Sequence, residues 1–246
     1  MKIIIPSMGR GDAIITHKIL SECNYSVCIP ESERDLYFRI PNDKKILHPN
    51  NIVGLPAKRN WIIDNLMDDE CVIQLDDDLV AFYNLSEVRK VYPENVWAVL
   101  YETFLSTVEL GAEFFCWGSQ SDAKMYSEFS PFAITGYICG SAFGVVKGSK
   151  VRHDEMFNLK LDYDLSLMNA YVNKLVWKNQ IYAFCQKRTF RATGGLSNFR
   201  TLAIEKEEIK KLKQKYGSNV ISGKGKRGGA NRNIVGDIGI FLNLPF

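Results

Sequence analysis

Short apolar runs bounded by polar residues recur along the chain. Runs of this kind are typical of strands buried on both faces of a parallel sheet. They predict strands at 2–5, 25–29, 45–48, 71–75, 112–117, 135–146 and 181–185, with 79–83 continuing across the sheet. Between them, helices are predicted at 13–23, 54–66, 93–110, 161–175 and 205–216, and a loop at 31–34 is predicted to lead into a helix through Phe38. This alternation indicates an α/β fold with a mostly parallel central sheet flanked by helices.

The composition is that of an ordinary globular protein, with 46% hydrophobic and 24% charged residues among 246. The N-terminal apolar run ends early, at Pro6, and no run approaches the roughly 18 apolar residues of a membrane span. We therefore expect a cytoplasmic protein without a membrane anchor. The six cysteines form no CxxC pair, which predicts reduced, buried thiols rather than disulfides or a zinc site.

The net charge of +3 conceals an uneven distribution of charge. Between residues 205 and 232 there are nine Lys or Arg against three Glu, so this segment carries +6 and the remainder −3. A basic segment on a slightly acidic body predicts an anionic partner. Lys224, Lys226 and Arg227 lie in a glycine-rich part of it that would suit a phosphate backbone.

Asp76, Asp77 and Asp78 directly follow the predicted strand 71–75. Ligands of open α/β sheets bind at the carboxyl ends of the strands. Packing three carboxylates together raises their pKa values unless a cation or a hydrogen-bond donor compensates. Hard cations such as Mg²⁺ and Mn²⁺ prefer oxygen ligands. The acids therefore predict a metal site, and a solvated acidic turn is the alternative.

Basic residues follow two other predicted strands. The loop after the first strand contains Arg10, which could contact a phosphate or a base. The helix at 54–66 places Lys58, Arg59 and Asn60 in its first turn, where the helix dipole and free N–H groups favour anions. An ordinary loop and a solvated helix face remain the alternatives for these two segments.

Two further acids, Asp162 and Asp164, lie at the start of the predicted helix 161–175. Asp is a common helix N-cap, and a cap needs only one of them. The other is then available as a general base for an acceptor hydroxyl.

The order and spacing of these motifs over roughly residues 1–185 resemble the GT-A nucleotide-sugar glycosyltransferases. Within that class the chain is most similar to the TET-associated glycosyltransferases, a phage-rich group related to the base J glucosyltransferases. Members are thought to glycosylate hydroxymethylated pyrimidines in DNA. The resemblance implies one GT-A-like (Rossmann-like) domain, 1–246, in the host cytoplasm if phage-encoded. We expect a nucleotide-sugar-binding half at 1–110, an acceptor-side half at 111–204 and a basic C-terminal segment at 205–246.

The resemblance also implies a role for each motif, with a UDP-sugar as donor, DNA as acceptor and Mn²⁺ or Mg²⁺ as cofactor. Asp164, with Asp162 as second choice, would be the catalytic base. No histidine follows His153, so the C-terminal histidine ligand of many GT-A enzymes is missing here. The expected metal ligands are Asp78 and Asp76, and the expected donor-binding residues are Pro6, Ser7, Arg10, Lys58, Arg59, Asn60, Asp76 and Asp77.

Two other functions fit the same residues. A metal-dependent nucleotidyl or phosphoryl transferase also uses clustered acids beside basic groups. A DNA-binding module without activity would keep the acids for structural reasons. Release of a nucleoside diphosphate from a nucleotide sugar would distinguish the glycosyltransferase from both.

Overall fold

The computed structural model describes residues 1–11, 13–186, 201–223 and 240–243. Four helices are present in this part of the chain: α1 (Leu55–Leu66), α2 (Pro93–Leu110), α3 (Leu161–Val172) and α4 (Leu202–Tyr216). The strands are β1 (Lys2–Pro6), β2 (Tyr25–Pro30), β3 (Lys45–His48), β4 (Cys71–Leu75), β5 (Leu79–Asn84), β6 (Arg89–Lys90), β7 (Phe114–Gly118), β8 (Phe132–Ala133), β9 (Ala142–Val146), β10 (Trp177–Gln186), β11 (Ile221–Gly223) and β12 (Ile240–Leu242).

Ten strands form one mixed sheet in the order β3-β2-β1-β4-β9-β7-β10-β5-β6, with β8 paired to β10. Strands β1 to β4 are mutually parallel where they pair, and β7 is parallel to β10. Strand β9 runs antiparallel to both β4 and β7 and joins the two groups. The predicted α/β class and mostly parallel sheet are confirmed.

The strand directions bring distant segments of the chain to one edge of the sheet. The carboxyl ends of β1, β4 and β10 lie at this edge because these strands run the same way. The amino end of β9 lies there too, since Leu75 pairs with Ala142 in the antiparallel register. Four separate segments can therefore contribute side chains to one place, as open α/β sheets require.

Packing within the sheet explains one of the strand glycines. Gly144 on β9 pairs with Phe115 on β7, and a Cβ at Gly144 would overlap the Phe115 ring. The aromatic ring therefore fills the space that a side chain would take. This glycine serves the core and not a ligand.

Two helix predictions are wrong. Residues 13–23 form only a short 3₁₀ turn at Thr16–Lys18, and the segment leading to Phe38 forms only one at Glu31–Glu33, where a loop was predicted. In the first segment the backbone N–H of Ile15 donates to the Asp77 carbonyl (3.0 Å) instead of continuing a helix. The β-branched run Ile14-Ile15-Thr16 also has low helix propensity.

Other boundaries differ at the ends of elements. The predicted strand 135–146 is regular only at Ala142–Val146, and helix α3 ends at Val172. Helix α2 ends as expected at Gly111, whose φ of +75° is the left-handed conformation that glycine tolerates. Strand β12 pairs with β11, and its Ile240 is buried in a cluster with Phe157 and Leu212.

Some sequence predictions fall on residues outside the described part of the chain. The sequence also predicts a glycine-containing loop at 186–200 that could fold over the site as a lid, and the structure describes only Gln186 of it. Lys224, Lys226 and Arg227 also lie outside the described residues. Within the described part, no helix is long and apolar enough to cross a membrane.

Candidate active site

The three aspartates form a tight turn at the carboxyl end of β4. Their side chains are 24%, 10% and 16% exposed for Asp76, Asp77 and Asp78. The backbone is held from both sides: Asp76 N–H donates to the Ser141 carbonyl (2.9 Å), and Thr16 Oγ1 donates to the Asp76 carbonyl (2.5 Å). A turn fixed in this way gives each carboxylate a defined direction.

The loop after β1 neutralises Asp77. Arg10 Nη1 lies 2.7 Å from Asp77 Oδ1 and 3.4 Å from Asp78 Oδ2. Ser7 Oγ donates to the other Asp77 oxygen at 2.5 Å. The structure thus brings together three residues that the sequence assigned to one site.

The first turn of α1 places two cations in the protein interior. Lys58 and Arg59 are only 3% and 2% exposed, and Pro56 is accommodated in the same turn. Lys58 Nζ donates to the Ser7 carbonyl at 2.6 Å, and no carboxylate in the described part of the chain forms an ion pair with it. Burial lowers the pKa of Lys58, which means that its charge is incompletely solvated.

Arg59 connects the acids to the start of β9. Its Nη2 donates to Asp76 Oδ1 and to the Gly140 carbonyl, both at 2.7 Å. Its guanidinium carbon lies 5.3 Å from the centre of the Phe143 ring. The buried Nε has no hydrogen-bond partner among the described residues.

Gln186, the last residue of β10, binds two of the acids at once. Its Nε2 lies 2.9 Å from Asp76 Oδ2 and 3.3 Å from Asp78 Oδ1. The two carboxylates therefore face a shared point, and their oxygens are the donors that a hard divalent cation prefers. Burial raises the pKa of Asp76 to about 6, and its two acidic neighbours add to this effect. In the described part of the chain, no group of three or more His, Cys, Asp or Glu side chains could hold a metal ion.

Asp162 adjoins this site from α3. The residue is partly exposed, and its carboxylate accepts a hydrogen bond from the Tyr137 hydroxyl. A Cβ placed on Gly140 would lie 2.9 Å from Asp162 Cβ and 3.4 Å from Arg59 Nη1. Glycine at position 140 therefore allows the acid and the guanidinium to approach the same backbone segment. Burial raises the pKa of Asp162, against the opposing effects of the Tyr137 hydrogen bond and the Arg59 charge.

Asp164 has different surroundings from Asp162. Its side chain is 0% exposed and lies 2.7 Å from Lys215 Nζ and 2.6 Å from the Tyr216 hydroxyl through Oδ1. The backbone N–H of Asp154 donates to Oδ2 at 3.3 Å. Asp164 thus links α3 to α4 and is shielded from solvent.

Asn60 is bonded to a main-chain segment. Its amide donates to the His153 carbonyl and accepts from the His153 N–H, both at 2.9 Å. This reciprocal pair fixes the connection between β9 and α3 to helix α1. Pro6 ends β1 next to Ser7 and is buried.

Comparison with known proteins assigns the family. The sequence model of the family described as TET-Associated Glycosyltransferase matches residues 1–195. This match covers more than three quarters of the 246 residues. The chain belongs to the TET-associated glycosyltransferase family. The predicted family and the predicted class of enzyme, a glycosyltransferase, are confirmed.

Solved structures similar to this TET-associated glycosyltransferase include glucosyl-3-phosphoglycerate synthase from Mycobacterium tuberculosis in complex with Mg²⁺ and uridine diphosphate. The TM-score is 0.52 at 10% identity, covering 98% of this chain and 86% of that chain. The complex of the same enzyme with Mn²⁺, UDP-glucose and phosphoglyceric acid gives 0.51 at 8% identity, covering 91% and 83%. At these identities the likeness shows the GT-A-like fold alone. No curated protein matches the sequence.

The sequence of this TET-associated glycosyltransferase did not reveal three residues that contact the site, Tyr37, Tyr137 and Gln186. Tyr37 is 2.9 Å from Ser7 Oγ through its hydroxyl, which also accepts the Arg10 N–H at 3.2 Å. Tyr37 and Tyr137 lie in segments that the sequence predicts to be a helix and a strand but that are irregular in the structure, so neither was assigned to the site. Gln186 could have been found, because it follows a predicted strand just as the aspartates do.

Proposed function

We propose that this glycosyltransferase moves a sugar from a UDP-sugar to the hydroxyl of a hydroxymethylated pyrimidine in DNA, with Mn²⁺ or Mg²⁺ as cofactor. The observation that supports binding of a nucleotide-sugar donor is that clustered acids lie beside the buried cations Lys58 and Arg59 at one edge of the sheet. Such a site matches the two components of a metal-bound diphosphate, the cation and the anion.

Asp78 and Asp76 would hold the divalent cation at the point where both now bind the Gln186 amide. Two carboxylates leave most of the coordination shell to water and diphosphate oxygens, in keeping with the preference of Mg²⁺ for few protein ligands. When bound, the ion supplies Lewis-acid stabilisation of the charge that develops on the leaving diphosphate.

Lys58, Arg59 and Arg10 would bind the donor. The uncompensated charge of Lys58 favours a phosphate oxygen, because burial strengthens the attraction of opposite charges. Arg10 and Ser7 already fix Asp77, which leaves Asp77 oriented for the ribose or the sugar. Pro6 and Asn60 would shape the site through the backbone segments that they hold.

Asp162 is the better candidate for the catalytic base. Asp162 is a partly exposed residue, so an acceptor hydroxyl can approach it, and burial raises the pKa of its carboxyl group, which makes it a stronger base. The Tyr137 hydroxyl orients it. Asp164, the first choice from the sequence, is fully buried and already bonded to Lys215 and Tyr216, so it would act by positioning α3.

The proposal of a DNA acceptor rests on the family resemblance and on the charge of the C-terminal part of the chain. Residues 205–232 carry +6, whereas the remainder carries −3. A polyanionic acceptor would be attracted electrostatically to residues 205–232, and added salt would weaken this attraction.

A product assay tests this function. The protein is incubated with a UDP-sugar, Mn²⁺ and an oligonucleotide containing 5-hydroxymethylcytosine. We expect release of UDP together with a gain of one sugar mass by the oligonucleotide. Asp78→Ala should abolish both, whereas the matched control Asp68→Ala, which alters an exposed carboxylate of the same segment, should not. Release of UMP would contradict glycosyl transfer.

A further inference from the structure

Helix α4 lies outside the residues matched by the family model and is firmly attached to the site. Glu208 accepts hydrogen bonds from the backbone N–H groups of Asn158, Leu159 and Lys160, at 2.9, 2.9 and 2.8 Å. Glu205 forms a buried ion pair with Lys160 at 2.6 Å. These bonds hold one face of α4 against the chain that leads into α3.

The carboxyl end of α4 reaches the residues around the proposed base. Lys215 Nζ lies 2.7 Å from both Asp164 and Asp154, and the Tyr216 hydroxyl binds Asp164. Asp164 is two positions from Asp162 on α3. Anything bound to the outer face of α4 is therefore held in a fixed relation to the acceptor side of the site.

The outer face of α4 is cationic. Lys206, Lys210 and Lys213 recur at the spacing i, i+4, i+7, and each is at least partly exposed. None forms an ion pair within the described ranges, whereas Lys211 is paired with Glu207 at 2.9 Å. The other acids of the helix, Glu205 and Glu208, are buried on the opposite face. The charge of these three lysines is thus uncompensated.

The spacing of the lysines agrees with that of a nucleic acid backbone. Seven residues of helix rise by about 10.5 Å at roughly 1.5 Å each. Three nucleotide steps along one strand of a duplex rise by about 10 Å at roughly 3.4 Å each. The lysine face is therefore about as long as three base-pair steps of a duplex, a length that carries several phosphates.

We propose that the Lys206–Lys210–Lys213 face of α4 binds the phosphate backbone of the DNA acceptor and presents its target nucleotide to Asp162. This rests on the proposed function, because it takes the acceptor to be DNA. The face serves as an acceptor-binding surface separate from the donor site at the carboxyl ends of the strands.

The test is the salt dependence of binding to a duplex oligonucleotide containing 5-hydroxymethylcytosine. Each phosphate contact contributes about 0.9 to the slope of log K against log salt. The triple variant Lys206→Gln, Lys210→Gln, Lys213→Gln should therefore lower that slope by about 2.7 and weaken binding by roughly 500-fold at 0.1 M salt. Glutamine is a good helix former, so α4 should persist in circular dichroism.

A matched control removes the same three charges elsewhere, by changing the exposed Lys90, Lys150 and Lys174 to Gln. This variant should keep the slope of the unchanged protein. An equal loss in both variants would attribute binding to net charge and overturn the proposal, as would an unchanged slope in the α4 variant. If the triple variant unfolds, Lys210→Gln alone should lower the slope by about 0.9.

Transfer to the free nucleoside 5-hydroxymethyl-2′-deoxycytidine separates this proposal from the proposed function. The α4 variant should retain this activity, because the nucleoside has no phosphates to bind. Failure of the unchanged protein to use any UDP-sugar would refute the proposed function. Retained transfer together with an unchanged DNA slope in the α4 variant would refute only the role of α4.

Discussion

The two aspartates of α3 should differ in what their loss does to stability and to turnover. In Asp164→Asn the carboxylate that binds Lys215 and Tyr216 becomes a neutral amide. The amide oxygen can still accept the hydrogen bonds from Lys215 and Tyr216. Its NH₂ group then faces the backbone N–H of Asp154, which donated to the second carboxylate oxygen. Two donors would face each other in a site with no access to solvent.

The size of the effect follows from burial. Removing one partner of a buried ion pair typically costs about 3–5 kcal/mol. Lys215 is 26% exposed and keeps Asp154 as a partner at 2.7 Å, so its charge is not stranded. We therefore expect a loss of about 2 kcal/mol, below the range for a fully buried pair. For a chain of this size that lowers Tm by about 4–8 °C.

Asp162→Asn should behave in the opposite way. The Tyr137 hydroxyl can still donate to the amide oxygen, and the Tyr163 N–H, which donates to the other carboxylate oxygen at 3.0 Å, can bond to water because Asp162 is a partly exposed residue. We therefore expect Tm to change by less than about 2 °C, equivalent to under 1 kcal/mol. Loss of a general base should lower kcat by about 10²- to 10⁴-fold. Thermal unfolding and UDP release are measured on the same preparations of both variants.

The reasoning would be refuted if the two variants exchanged their expected effects on stability and turnover. A stable Asp164→Asn protein that has lost turnover, beside an active Asp162→Asn protein, would show that Asp164 is the base. The assignment of α4 contacts as purely positional would then be wrong.

Three further outcomes follow from the geometry. Gly140→Ala should lower turnover about 10-fold or more because the new methyl group displaces Asp162. The control Gly148→Ala, at a position with φ of +98° and open space around it, should lower Tm and leave turnover intact. Equal turnover rates in the two variants would contradict this prediction. Lys58→Met should change the free energy of unfolding by less than about 1 kcal/mol, since an apolar replacement offsets the lost hydrogen bond to Ser7. The same variant should weaken UDP binding by about 10-fold in calorimetry. Unchanged affinity for UDP would exclude a role of Lys58 in binding the sugar donor. All six cysteines are buried, and burial raises the pKa of Cys28, Cys71 and Cys116 to about 12. A thiol reagent at neutral pH should therefore react with no cysteine before denaturation and with all six after it.

Much of the donor side follows from local sequence. The five apolar residues Cys71–Leu75 are all buried in β4, and their length and flanking polar residues sufficed to predict a strand with acids at its end. Likewise Pro56 and the two cations after it mark the start of α1. Both inferences concern neighbours in the chain, where spacing and side-chain type alone determine the local structure.

Residues 13–23 are a segment whose local pattern predicted the wrong structure. Residues 13–23 carry enough apolar side chains for a helix, but Thr16 and Ile15 bond instead to the turn at Asp76 and Asp77. A hydrogen bond to a residue some 60 positions away leaves no trace in local spacing. Tertiary contacts therefore override helix propensity here.

The sequence placed Asp162 and Asp164 together at the start of a helix but could not separate their roles. Residues two apart on a helix differ by about 200° in direction, so they face different neighbours. Which of them meets Tyr137 and which meets Lys215 depends on where α3 packs against the sheet and α4. The sequence alone thus determined that an acidic site exists, and only the packing of distant helices decided which acid is open to an acceptor.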